Sequence, residues 1–264
     1  MDQPKSQTAA RLELAVEIAR EAGGLTLEYF NQDNYRVERK ADDSPVTIAD
    51  RRAEELLRAR IADAFPADAI LGEELADRPG TSGYRWIVDP IDGTKSFIHG
   101  VPIYATLVAI EHEGRSVAGV IRIPALNEAV YAAIGHGAWH VVGDAPPRRA
   151  RVSECERLAE GLFLTSDVKT FDKAGRRDAY DRLQSAARLS RTWGDAYGYL
   201  LVATGRAEVM ADAIMEPWDA GPLPPIMVEA GGTFTDWQGQ TTIYSRQGVA
   251  TNGRVLDETL ALLR

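Results

Sequence analysis

At 264 residues, with 45% hydrophobic and 26% charged residues, the chain has the composition of an ordinary globular protein with a sizeable core, and either one large domain or two coupled halves fits that length. A formal net charge of -9 argues against a broad nucleic-acid or membrane-surface footprint, which requires a basic face. The single cysteine, Cys155, excludes an intrachain disulfide framework and, between Glu154 and Glu156, reads as structural rather than nucleophilic. The first residues lack the basic and apolar regions of a signal peptide, and no apolar run approaches ~18 residues, so the expected location is cytoplasmic.

In chain order, Leu14, Ile18, Ala22, Leu25 and Tyr29 recur at helical spacing and predict an amphipathic helix from about Thr8 to Phe30. A short strand over Tyr35–Arg39 and a polar loop from Lys40 to Pro45 lead to a second helix opened by Thr47 and stopped by Pro66, with Ala53, Leu57, Ile61 and Phe65 on its apolar face. Asp50, in the first turn of that helix, fits a capping pair with Thr47 as well as a metal-site role. The short strand Ala69–Leu71 runs into Gly72-Glu73-Glu74. A second apolar strand, Trp86–Val88, runs into Asp89-Pro90-Ile91-Asp92-Gly93-Thr94, where a further helix begins. Four β-type runs follow, Tyr104–Ile110, Val117–Ile123, Ala129–Ala133 and Ala138–Val142, as an antiparallel meander. Gly143 to Pro147 reads as a linker, which divides the chain into residues 1–143 and 144–264. Beyond it, strands at Leu162–Thr165 and Ala207–Ala211 alternate with helices at Arg177–Ala187, Gly194–Thr204 and Asp219–Ala230.

Chemistry concentrates around Asp89 to Thr94. Two aspartates three residues apart offer hard oxygen ligands suited to Mg²⁺, and the Gly93 and Thr94 amides at a helix start offer donors to a phosphate. A tight Asp-Pro turn with Asp92 as a helix cap accounts for the same residues. Asp50, Glu73, Asp89, Asp92 and Asp219 all stand at ends of predicted elements, where acids can converge.

The ordered set Gly72-Glu73-Glu74, then Asp89-Pro90-Ile91-Asp92-Gly93-Thr94, then Trp218-Asp219 resembles the inositol monophosphatase family of Mg²⁺-dependent phosphatases. The resemblance implies a layered αβαβα sandwich, with an antiparallel sheet in the first half and a mixed sheet in the second. It implies a first metal held by Glu73, Asp89 and the Ile91 carbonyl, a second held by Asp89, Asp92 and Asp219, and a third, looser one near Glu73. It also implies Mn²⁺ as a substitute for Mg²⁺. Thr94 with Glu73 would orient the attacking water, Asp50 would hold that network, and the Gly93 and Thr94 amides would take phosphate oxygens. A homodimer and sensitivity to lithium are implied as well.

Within the family, Gly93 to Pro102, Thr192 to Tyr199 and Phe234 to Gly239 look like the histidinol-phosphatase subgroup. Asp195, Asp212 and Arg191 are the expected substrate contacts. The small phosphorylated substrate would then be histidinol phosphate, whose ammonium and imidazole suit paired acids better than the neutral hydroxyls of inositol. An inositol or sugar monophosphatase shares the metal cluster, as does a bisphosphate nucleotidase. One departure is the run Ala220-Gly221-Pro222-Leu223-Pro224-Pro225. Pro224 and Pro225 each remove a helical hydrogen bond, so a distorted start is expected for the helix that carries Asp219.

Overall fold

Helical spacing at the N-terminus and period-two alternation in the meander decide which faces can be buried. A computed structural model describes residues 3–32, 36–39 and 45–264; Tyr35 and the expected loop at 40–44 lie outside them. Helices α1 (Gln3–Leu27) and α2 (Ile48–Ala64) pack side by side. Between them lies a two-stranded ribbon, β1 (Val37–Arg39) with β2 (Pro45–Thr47).

A seven-stranded sheet follows, in the spatial order β3 (Ala69–Gly72), β4 (Tyr84–Asp92), β5 (Ala105–His112), β6 (Arg115–Ile123), β7 (Glu128–Ala133), β8 (Gly137–Val142) and β9 (Arg148–Arg149). The meander is present, but the sheet is not wholly antiparallel. Its edge pair β3–β4 is parallel, because the connection over residues 73–83 returns the chain to the end where β3 began before β4 starts. Helix α3 (Thr94–Ile98) follows β4 directly.

The second sheet runs β11 (Leu189–Arg191), β10 (Leu162–Leu164), β12 (Val209–Asp212), β14 (Gly248–Thr251), β13 (Thr233–Thr235). It is mixed, with β10 parallel to both neighbours and β14 antiparallel to both of its own. Its helices are α4 (Val168–Lys173), α5 (Arg177–Ala186), α6 (Ala196–Ala203), α7 (Pro217–Ala220), α8 (Leu223–Glu229) and α9 (Leu256–Leu263).

Alternate residues of the strands sort into different cores. Trp86, Val88, Val108, Ile110 and Val120 face α1 and α2, packing on Ile18, Leu57 and Ile61. Ile87, Leu107, Ala109 and Ile121 face the other way, onto Leu200 of α6 and Leu223, Ile226 and Met227 of α8, which also meet Met210 and Phe234 of the second sheet. The far side of that sheet, Phe163, Val209 and Val249, is covered by Leu183 of α5 and Leu260 and Leu263 of α9. The layers are therefore helix, sheet, helix, sheet, helix.

The prolines divide one expected helix. Instead of a single element over Asp219–Ala230, α7 ends at Ala220 and α8 starts at Leu223. The break places Pro224 and Pro225 in the first turn of α8, where a missing N–H costs little. The Gly221 carbonyl, which the N–H of a residue at 225 would ordinarily satisfy, instead accepts from Ser116 Oγ at 2.5 Å. The junction lies so close to β6 that a Cβ on Gly119 would stand 2.5 Å from Pro222 Cα.

Candidate active site

The sequence places Asp89 and Asp92 in a turn after the strand. The structure keeps both within β4, with a register shift between them: Asp89 pairs with Leu107 and Asp92 with Ala105. Pro90 supplies no N–H to the ladder, and its carbonyl accepts from Thr106 Oγ1 at 2.9 Å. The extra residue has a consequence for side-chain direction. In a regular strand, residues three apart point to opposite faces, whereas a one-residue bulge brings them to the same side. Asp89 and Asp92 accordingly converge with Asp219, each offering an oxygen within 4.8 Å of the others.

Backbone donors hold the three carboxylates. Asp89 Oδ1 accepts from the Ile91 amide at 2.9 Å, and Asp92 Oδ2 from the Ala196 amide at the start of α6 at 2.6 Å. Asp219 Oδ2 accepts from the Glu216 amide at 2.8 Å in a reciprocal cap of α7. No arginine or lysine pairs with any of the three among the described residues. Burial, then Glu73, Asp92 and Asp219, push Asp89 well above the usual carboxylate range, and Glu73 also shares a side-chain hydrogen bond with it. Burial, then Asp195 and Asp219, do the same to Asp92. Asp219 is pushed up to about 8, first by burial. Such a set is stable as carboxylates only beside strong positive charge.

Asp50 makes the expected cap and keeps one carboxylate oxygen out of it. Thr47 and Asp50 form a capping box, with Asp50 Oδ2 accepting from the Thr47 amide at 2.8 Å and from Thr47 Oγ1 at 2.6 Å. Its Oδ1 is buried without a partner, and burial, with Glu73 adding, raises the group to about 6. Glu54 was not anticipated. Fully buried one turn beyond Asp50, it accepts from the Glu74 amide at 2.8 Å and the Leu75 amide at 3.2 Å, and so fixes the loop that carries Glu73. Its signal was an acid at i+4 on the otherwise apolar stripe Ala53, Leu57, Ile61.

Gly93 adopts the left-handed conformation at φ 82°, and a Cβ there would stand 2.5 Å from Asp195 Oδ2, so glycine is required twice over. Thr94 begins α3 with its Oγ1 3.2 Å from the Ile91 carbonyl, to which it donates. Beyond the cluster lies a narrow cavity of about 120 Å³, whose walls include Asp92, Asp219, Asp195, Asp212, Asp167 and Lys95. Five acids therefore face one lysine, and Lys95 Nζ lies 3.7 Å from Asp167.

Asp195 sits at the start of α6 without a side-chain capping bond, and burial followed by Asp212 raises it to about 6. Asp212 is held by four donors: the Ser166 amide at 2.9 Å, Ser166 Oγ at 3.1 Å, Thr165 Oγ1 at 3.2 Å and Tyr199 OH at 2.9 Å. Burial raises it nonetheless. Ser166 carried no sequence signal and Tyr199 none beyond its place in the segment Thr192 to Tyr199, since only the fold brings them to Asp212. Arg191 is not brought here. It lies exposed at the end of edge strand β11, its guanidinium on the Ser190 carbonyl at 2.7 Å, away from the cavity lining.

Comparison with known proteins establishes the family. The family model described as the inositol monophosphatase family matches residues 8–264. The chain belongs to the inositol monophosphatase family. Among curated relatives of this phosphatase family, the histidinol-phosphatase of Chlorobaculum parvum is 43% identical over 249 residues, covering 94% of each chain. That of Mycobacterium tuberculosis is 36% identical, covering 96% of this chain and 97% of its own. Among solved structures, the extragenic suppressor protein suhB of Bartonella henselae superposes with a TM-score of 0.88 at 30% identity, over 97% of this chain and 98% of that one. An inositol monophosphatase family fold of αβαβα layers is thus shared across essentially the whole length. No helix among the described residues is long and apolar enough to cross a membrane.

Proposed function

We propose that the protein is a Mg²⁺-dependent histidinol-phosphatase, releasing phosphate and histidinol from histidinol phosphate. The observation that carries the substrate assignment is the cavity beside the cluster, which Asp195, Asp212 and Asp167 line with Lys95 as the one cation among its lining residues. Neutral inositol hydroxyls gain little from such a wall, whereas an ammonium and a protonatable imidazole gain charge-assisted hydrogen bonds. The relatives named histidinol-phosphatase support the same reading.

The donor set suits a hard divalent cation, since it is all oxygen, crowded and without a paired cation of its own. Glu73, Asp89 and the Ile91 carbonyl would hold one ion and Asp89, Asp92 and Asp219 a second. When bound, the ions neutralise these acids, make water a competent nucleophile near neutral pH and stabilise the charge on the leaving oxygen. The chain's own groups do the rest. Thr94 and Glu73 orient the water, and Asp50, anchored by Thr47, holds that network. The Gly93 and Thr94 amides take phosphate oxygens at the start of α3. Asp195 holds the cationic end of the substrate, while Asp212, with its four donors, keeps Ser166 and Tyr199 in place and supplies negative potential.

The deciding experiment is a turnover panel on the purified protein with Mg²⁺. It should show kcat/KM for histidinol phosphate well above that for inositol 1-phosphate, loss of activity on chelation, partial recovery with Mn²⁺, and inhibition by Ca²⁺ and Li⁺. Equal or better turnover of inositol 1-phosphate would transfer the assignment to an inositol or sugar monophosphatase. Sizing the protein in solution tests the homodimer, which we infer from family membership alone.

A further inference from the structure

Between α1 and the first sheet lies a cleft of about 420 Å³ that shares no lining residue with the active-site cavity and that none of the chemistry above uses. Val16, Arg20, Gly24 and Leu27 line it from α1, at spacings that place all four on one helix face. The strands contribute Val120 and Arg122 of β6, Ala129 and Tyr131 of β7, and Val141 of β8. Gly23 packs tightly, since a Cβ there would lie 2.9 Å from Pro124 Cγ, but a Cβ on Gly24 would meet nothing within 4 Å. The helix is thus pinned on one side of this glycine pair and stands clear on the other.

The cleft carries two cations and no paired acid. Arg122 reaches Asn127 Oδ1 with one Nη, but its Nε is buried with no hydrogen-bond partner. Neither Arg20 nor Arg122 forms an ion pair among the described residues. Burial, and then the neighbouring Arg20, push the Arg122 guanidinium below the usual arginine range. Asp144, exposed at the rim, is the carboxylate among the lining residues and pairs with neither arginine. A half-buried guanidinium facing a second one is costly without a counter-charge, and elsewhere in this chain the buried arginine is paired, as Arg11 is with Asp68 at 2.8 Å.

We propose that this cleft is a binding site for a small organic anion: one carboxylate, sulfonate or phosphate group between Arg20 and Arg122, on an apolar or aromatic body lying along Val16, Leu27, Val120 and Val141. The two guanidinium groups match a planar or tetrahedral oxyanion, and the apolar lining matches a short hydrocarbon or a ring. Tyr131 adds a phenol to the same wall.

Benzenesulfonate and benzoate, which a phosphatase cannot hydrolyse, are titrated into the full-length protein by calorimetry, with neutral benzamide as control. Saturable binding of both anions and none of benzamide is expected. Arg20→Ala and Arg122→Gln should each weaken binding about tenfold or more, the loss of one charge-assisted hydrogen bond. Gly24→Leu should fill the space and abolish binding while leaving turnover unchanged. If Arg122→Gln folds poorly, the exposed Arg20→Ala carries the test. Three results overturn the proposal: no saturable binding, binding of benzamide equal to that of the anions, or anion binding indifferent to the arginines and lost in Asp195→Asn. A further overturning result is dissociation of an oligomer by Arg20→Ala without probe binding, which would reassign the cleft to a contact between copies.

Discussion

Asp89 stands among like charges, beside Glu73, Asp92 and Asp219, and it is the residue both ions would share under the proposed assignment. Asp89→Asn removes one negative charge from that crowd and, under the same assignment, would remove one ligand from each ion. We expect kcat to fall by about three orders of magnitude or more while the chelated protein melts higher than the chelated wild type, the trade expected where a site is built at the expense of stability. Steady-state kinetics and thermal melts in chelator check both halves, and a lower melting temperature would mean that the carboxylates are not straining the fold. Asp195 tests the substrate end. Asp195→Asn should narrow the ratio of kcat/KM for histidinol phosphate over inositol 1-phosphate by roughly tenfold to a hundredfold, since a charged hydrogen bond is worth ~1.5–3 kcal/mol. An unchanged ratio would show that this acid does not read the substrate's charge.

At the scale of elements, what was legible followed from local chemistry. Thr47 and Asp50 carry their capping box in their own types and spacing, and Gly93-Thr94 announces a helix start. The bulge that turns Asp89 and Asp92 to one side was not legible, because it depends on pairing with β5, a partner no local pattern names. The prolines announced a distortion after Asp219, but not that α7 and α8 would separate with Ser116, 105 positions away along the chain, donating to the Gly221 carbonyl. Ser116→Ala should therefore cost about 1–3 kcal/mol in denaturant unfolding, the range for an orphaned buried acceptor, far more than a surface serine. The docking of α1 also escaped a reading by periodicity. Its Arg11 donates to buried Asp68 at 2.8 and 2.9 Å, and Asp68 accepts from Trp86 Nε1 at 2.8 Å and Ser82 Oγ at 2.6 Å. Asp68→Ala leaves that guanidinium buried without its partner. A loss of about 3–5 kcal/mol is expected, and a loss below 1 kcal/mol would show that α1 is held by its apolar face alone.

For the molecule as a whole, the active site is a seam: Asp89 and Asp92 belong to the first sheet, Asp219 to α7, and Asp92 Oδ2 ties the seam to α6 through the Ala196 amide. Charge accumulated there makes stability depend on pH and on metal together. Asp219 is raised to about 8 against an ordinary value of 3.8, and Asp89 and Asp92 are raised too, so the metal-free fold binds protons more tightly than the unfolded chain. For groups shifted upward in this way, the stabilising contribution is complete below the unfolded value and is lost as pH rises through the folded one. The chelated protein should therefore lose stability between about pH 4 and pH 8 through this cluster. The proposed Mg²⁺ would compete with those protons, so its stabilising effect should grow over the same window. Thermal melts with and without saturating Mg²⁺ at pH 5 and pH 8 provide the measurement. The Mg²⁺-induced rise should be clearly larger at pH 8, and Asp89→Asn should shrink it. A rise of equal size at both pH values would mean that the ion binds without displacing protons from these carboxylates, and the cluster would no longer account for the link between metal and fold.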